Sequence, residues 1–96
     1  MRDVLIDGRR MRDRAGAHAY LAKKLSAPAW YGNNLDALMD VLSTCAEPTR
    51  FEIRYPASIE RNLGDYGKAL LGVFRDAAAE NERITLAFLP PEPCGN

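Results

Sequence analysis

Asp36 and Asp40 stand four residues apart in the stretch Trp30-Tyr31-Gly32-Asn33-Asn34-Leu35-Asp36-Ala37-Leu38-Met39-Asp40, directly behind two aromatics and a turn glycine. Read as a helix from about Asn34, the stretch puts Leu35, Leu38 and Leu42 on one face. Both aspartates fall on the other, with Met39 beside them. Carboxylates at that spacing repel, costing an isolated helix roughly 0.2–0.5 kcal/mol. No Lys or Arg occurs from Ser26 to Thr49 to offset the repulsion. The positive end of the helix dipole, worth about 0.3–1 kcal/mol, accounts for Asp36. Asp40 lies a turn further on, where that effect has faded. Such a pair has two uses: acid–base or metal chemistry in a pocket, or complementarity to a cationic partner. No apolar pocket is evident to tune it, and Trp30, Tyr31 and Met39 adjoin it. Aromatics beside unpaired charge fit the centre of a protein–protein interface.

Other reactive residue types are scattered. His18 is the single histidine and has no Ser, Cys or carboxylate motif around it, so it reads as a satisfied or solvent-facing side chain. Cys45 and Cys94 lack CxxC spacing and a histidine neighbour, and two free thiols in a reducing cytoplasm are expected. No phosphate loop or zinc spacing occurs. The expectation is a protein that is not an enzyme and takes no cofactor or metal. Asp76 and Glu80 repeat the i, i+4 acidic pairing, facing away from Phe74. A cluster of Arg9, Arg10, Arg12 and Arg14 can contact phosphates, which gives the alternative of an RNA-binding module. That cluster has no aromatic platform interleaved, and nucleic acid is the less favoured partner.

The elements that must carry these residues follow from patterning. Val4-Leu5-Ile6 reads as a short buried strand ended by the turn dipeptide Asp7-Gly8. Asp13 caps a helix to about Leu25, with Tyr20, Leu21 and Leu25 on its apolar side. Pro28 breaks the chain before the acidic helix, which ends near Thr44. Phe51, Ile53 and Tyr55 alternate with Glu52 and Arg54 as a one-sided strand, stopped by Pro56. A short helix spans Ala57 to Leu63. Gly64-Asp65 opens the last helix, with Leu70, Phe74 and Ala77 spaced for burial, and Ile84 to Leu89 is the third strand. Crossovers longer than a dozen residues imply parallel pairing. The fold class is therefore α/β, a small three-stranded parallel sheet packed with three to four helices. Residues 1–90 form a single domain, and 91–96 form a short Pro-rich C-terminal tail.

The 96 residues carry 13 basic and 13 acidic side chains, a net charge of zero. Their distribution is uneven. Met1 to Leu25 holds Arg2, Arg9, Arg10, Arg12, Arg14, Lys23 and Lys24 against Asp3, Asp7 and Asp13. Ser26 to Thr49 holds only Asp36, Asp40 and Glu47. The balance argues against a dedicated nucleic-acid binder and leaves an acidic patch for a basic partner. The apolar run after Asp3 is broken by Asp7 and Arg9, so no export signal is expected. No stretch approaches the ~20 apolar residues of a membrane span. A cytoplasmic protein is expected.

The run Tyr31 to Asp40 closely resembles the signature of the barstar family, intracellular inhibitors of small secreted ribonucleases. Val4 to Gly8 resembles the family's first strand and turn, and Tyr20 to Leu25 its first helix. Val73 to Ala77, followed by Ile84-Thr85-Leu86, resembles its last helix and strand. The resemblance implies a stoichiometric inhibitor that makes a 1:1 complex with a cognate ribonuclease or a nuclease toxin domain. Asp40 matches the family carboxylate that enters the catalytic pocket, and Asp76 matches an interface acid that is usually the longer glutamate. Trp30 supplies the aromatic where the motif more often has Tyr, and Met39 stands where the family has Trp. With Tyr31, Gly32, Asn34, Leu35 and Asp36, and with Glu80 at the margin, these form the expected partner-binding set. A barstar-like domain that binds a non-nuclease protein is the family-level alternative. The resemblance also points to a cis proline near Glu47-Pro48, where the local sequence alone leaves cis and trans open.

Overall fold

Three six-residue strands build one parallel sheet, ordered as they occur in the chain, with burial alternating along the first two. The computed structural model describes residues 2–28 and 31–89. In chain order these are β1 (Arg2–Asp7), a 3-10 turn (Gly8–Arg10), α1 (Arg14–Leu25) and α2 (Leu35–Ser43). They continue as β2 (Thr49–Arg54), α3 (Pro56–Leu63), α4 (Asp65–Glu80) and β3 (Ile84–Leu89). Among the described residues every peptide bond is trans, Glu47-Pro48 included. Trp30, Cys94 and the Pro-rich tail lie outside the described residues.

Register explains the core. Val4 pairs with Phe51 and Ile6 with Ile53, while Phe51 pairs with Leu86 and Ile53 with Phe88, so one face of the sheet is a continuous apolar surface. Phe51 meets Phe74 of α4 edge to face at 5.6 Å, and both rings are fully buried. Thr49, the buried polar residue on that face, donates its hydroxyl to the Glu47 carbonyl at 2.8 Å. Each crossover carries two helices. When both crossovers travel the same way across a sheet with the usual right hand, their helices stack on one side. Among the described residues no helix is therefore left to cover the opposite face.

That face corrects one expectation. Only Val4 and Ile6 of the first strand are buried, whereas Leu5 between them is 42% exposed. Parallel sheets are usually covered on both faces, which makes their strands read as unbroken apolar runs. A single helical layer removes that requirement here. Tyr55 also leaves the strand pattern. It precedes α3 with φ 54°, and Pro56 both ends β2 and begins the helix. The remaining elements fall where the periodicity puts them, with Leu70, Phe74 and Ala77 buried on α4.

The α3–α4 turn depends on close backbone approach. A Cβ on Gly67 would lie 2.5 Å from the Ile59 carbonyl oxygen and 3.1 Å from the Leu63 Cβ. Gly67→Ala should therefore lower stability by about 1–3 kcal/mol, the cost of overpacking. Gly72 lies on the same helix with open space around it. Gly72→Ala should instead stabilise by roughly 0.5–1 kcal/mol through helix propensity. Denaturant melts of both variants check the pair, and equal effects would refute the close packing.

Candidate functional site

The acidic helix is held at both ends. Asn34 is its N-cap, accepting from the Ala37 amide at 2.8 Å and donating to the Gly32 carbonyl at 3.2 Å. Asn33 before it has φ 54°, a left-handed conformation that asparagine tolerates better than most residues. Ala37, Leu38 and Leu42 are buried. At the far end the Thr44 hydroxyl donates to the Asp40 carbonyl at 2.9 Å. Asn81, at the end of α4, donates to the carbonyls of Leu42 and Cys45 at 3.2 and 3.1 Å. These contacts satisfy carbonyls that a helix C-terminus leaves open, and they fasten α2 to α4. The nearby Cys45 thiol is free and donates to the Glu47 carbonyl at 3.3 Å.

From that anchored scaffold Asp36 and Asp40 point into solvent. Among the described residues no ion pair reaches Asp36, Asp40, Asp76 or Glu80; those present join Arg9 to Asp7 and Arg50 to Glu52. Asp76 and Glu80 are likewise exposed, on α4. Glu80 borders a shallow polar depression with Ser43 and Arg83, where α2 and α4 end. One member of the expected set sits deeper than its pattern implied. Met39 is half-buried and packs partly on the core instead of standing free beside the aspartates, while Leu35, on the apolar face as its spacing implied, packs on the core only in part at the helix start. Gly32 is exposed in the loop. Trp30 lies outside the described residues.

Tyr31 turns inward. Its hydroxyl is 2.6 Å from Nδ1 of His18, and the other ring nitrogen of His18 is 2.6 Å from the Tyr66 hydroxyl. One histidine on α1 thus ties the loop before α2 to the start of α4. His18 is buried, and burial lowers its pKa below the ordinary value. A neutral imidazole offers one donor and one acceptor, so one tyrosine donates and the other accepts. Burial, reinforced by the Tyr66 hydroxyl, pushes the Tyr31 phenol up to about 12. Arg14 stacks on the outer side of Tyr66 at 4.3 Å, and Arg9 on Tyr55 at 4.2 Å. Two arginines of the N-terminal cluster therefore do meet aromatic rings, but as intramolecular clamps. Arg9 also pairs with Asp7 through Nε and a terminal nitrogen at 3.1 and 3.0 Å.

The sequence marks His18 as satisfied or solvent-facing, and the first holds. Its partners were hidden, because Tyr66 lies 48 residues away along the chain. The arrangement presents a rigid anionic helix and a braced loop. Among the described residues no cluster of His, Cys, Asp and Glu could hold a metal ion, and no helix is long and apolar enough to cross a membrane.

His18 makes the stability pH-dependent. Its folded pKa is depressed, so the unfolded chain binds more protons in the window below its ordinary value of about 6.5. Stability should be fully present above that pH and fall as pH drops through the folded pKa. Thermal melts between pH 7.5 and 5.5 should show the decline, and His18→Gln should flatten it. Tyr31→Phe, which leaves a ring nitrogen unpartnered, should cost about 1–3 kcal/mol at neutral pH. A wild-type profile flat across this range would show that the imidazole is not held neutral.

Comparison with known proteins agrees with this geometry. Residues 1–89 match the family model Barstar (barnase inhibitor). Over 81 residues the chain is 35% identical to the Bacillus subtilis (strain 168) protein named "Putative ribonuclease inhibitor YrdF", covering 83% of this chain and 89% of that one. With its parallel sheet, its capped acidic helix and a match across nearly its whole length, the chain belongs to the barstar family.

Proposed function

We propose that the protein is a stoichiometric inhibitor of a small basic ribonuclease, binding it one to one and filling its substrate cleft with α2 and the preceding loop. The observation that carries this reading is the pair Asp36 and Asp40, exposed and without an ion-pair partner among the described residues, on a helix fixed at both ends. The family description and the name of the Bacillus relative support it. A ribonuclease active site must be cationic to hold phosphate and to stabilise a phosphorane-like transition state. Carboxylates placed where phosphates would sit occupy it without reacting.

In this reading Asp40 enters the catalytic pocket, and Asp36 and Asp76 pair with lysine or arginine on the enzyme. Trp30 stacks where a base would lie. Gly32, Asn34 and Leu35 shape the loop and helix start, and Glu80 stands at the margin. Tyr31 offers its ring, since its hydroxyl is committed to His18. Met39 contributes a flexible thioether whose exposed part adapts to the partner surface. A standard interface of about 1,600 Å² would use most of the face made by α2 and its loop. The role that follows is cytoplasmic: protection of the producing cell from its own ribonuclease, or immunity to a nuclease toxin domain. The protein itself is not an enzyme.

Asp40→Ala should leave the fold intact, because the carboxylate is exposed and the substitution relieves repulsion from Asp36. Its affinity for a barnase-type ribonuclease should fall by about 2 kcal/mol or more, a hot-spot threshold for which the barnase–barstar pair itself is a source case. Most of the loss should appear in the dissociation rate, since an enzyme cation is left buried and unpaired. Glu47→Ala, away from α2's acidic face, is the control. Similar small losses from both, with unchanged melting, would move the binding surface elsewhere. The purified protein should also hydrolyse neither RNA nor phosphate esters, with or without divalent metal. Metal-dependent turnover abolished by Asp36→Asn would overturn the inhibitor reading in favour of an enzyme.

A further inference from the structure

We propose that the outer edge of β1 is a docking site for an extended acidic peptide segment, which adds to the sheet as a fourth strand. The edge is defined by hydrogen-bond parity. The Arg2 amide donates to the Pro48 carbonyl at 2.9 Å, and β1 keeps register with β2 throughout. In a parallel pair the backbone groups of alternate residues point to the neighbour and the others point away. Arg2, Val4 and Ile6 therefore face β2, and Asp3, Leu5 and Asp7 face outward. The Asp7 amide confirms the parity, because it donates to the Tyr20 hydroxyl of α1 at 2.9 Å. Tyr20 closes one end of the edge. The amides and carbonyls of Asp3 and Leu5 have no hydrogen-bond partner among the described residues.

Beside that edge runs a groove of about 500 Å³, lined by Leu5, Asp7, Arg10, Tyr20, Lys23 and Lys24. Arg10 supplies positive charge near the Asp7 end. Lys23 and Lys24 supply it from the last turn of α1. Arg2 flanks them, its guanidinium 3.4 Å from the Lys24 carbonyl. The one carboxylate in the lining, Asp7, is already engaged by Arg9. Leu5 adds an exposed apolar contact. This lining selects among occupants. Six residues of strand are about 20 Å long, enough to pair a short segment. Main-chain pairing at an open edge, with side chains giving specificity, is a general mode of peptide capture. A polyphosphate would satisfy the cations and the edge amides but could not donate to the edge carbonyls, whereas a peptide backbone does both. A second copy joined edge to edge would bring two sets of the same cations together. Acidic side chains on the incoming strand instead meet Arg10, Lys23 and Lys24.

The test is fluorescence anisotropy with a labelled hexapeptide of alternating Glu and Val, run at low and physiological salt. The same peptide carrying a central proline and a single-stranded RNA hexamer are the comparison probes. The alternating peptide should bind in a salt-sensitive manner. Lys23→Glu combined with Lys24→Glu should weaken it at least about tenfold. Leu5→Pro removes an outward amide at an edge position where proline is tolerated, and it should abolish binding. If Leu5→Pro fails to fold, the lysine pair and the proline-bearing peptide still decide. Equal binding of the proline-bearing peptide, tighter binding of RNA, or a dimer by sedimentation that blocks the peptide would each overturn the proposal. So would no binding at millimolar peptide. Ribonuclease inhibition should be unchanged in both variants, because Leu5, Lys23 and Lys24 lie outside the proposed ribonuclease-binding set.

Discussion

A single layer of helices on one side of a parallel sheet is the constraint from which the rest of this structure follows. Both crossovers move the chain in the same direction, so among the described residues β1 and β3 remain edges and no helix covers one sheet face. The core must then be completed within the helical layer. Phe51 and Phe74 do this between β2 and α4, and α4 in turn supports α2. Because α2 packs chiefly on another helix and not on the sheet, it stands at the outside of the molecule. Leu38 and Leu42 are buried beneath it, and its far side is left to Asp36 and Asp40.

The same layering sorts the charges. A chain with no net charge still carries an anionic helix without a single cation and, elsewhere, a sheet edge bordered by Arg10, Lys23 and Lys24. Of the other N-terminal arginines, Arg9 and Arg14 are absorbed by Tyr55 and Tyr66. Net charge therefore says little about this protein's partners. At a Debye length of about 8 Å in physiological salt, each face is felt mainly by what touches it. The local field of α2, not the overall charge, is what a cationic partner meets first.

Much of this was legible in the residues, and what was not has physical reasons. Period-3.6 patterns located α1, α2 and α4, and period-2 alternation found β2, because each buries one face only. Asn34 and Asp13 act as the caps their side chains suggest. Leu5 misled, since three apolar residues in a row look the same whether the sheet has one covered face or two. Met39 misled because a side chain at the flank of a helix stripe can pack or project, and only the neighbouring helix decides. The partners of His18 were invisible for another reason. A hydrogen bond between residues 48 positions apart leaves no local signature in either segment. The free edge of β1 was equally hidden, because strand order is not written in any one strand.

The histidine matters to the site more than its sequence context suggests. Among its described residues the loop from Ser26 to Asn34 contains two non-glycine residues at positive φ, Ser26 and Asn33, and such conformations persist only where surroundings hold them. Beyond the helix-ending bonds of Ser26 and Ala27, three contacts hold its described residues: the Tyr31 amide donates to the Pro28 carbonyl, Asn34 caps α2, and the Tyr31 hydroxyl meets His18. The first two are local and would form in a loop detached from the body of the protein. The third joins Tyr31, well past the point where Ser26 and Ala27 bond back to the end of α1, to that helix and, through Tyr66, to α4. In the proposed complex, a Tyr31 held before binding avoids the entropy of being ordered during it. The relay of tyrosine, neutral imidazole and tyrosine therefore links core to surface. It converts burial of one side chain into a fixed position for Tyr31, just ahead of the acidic helix.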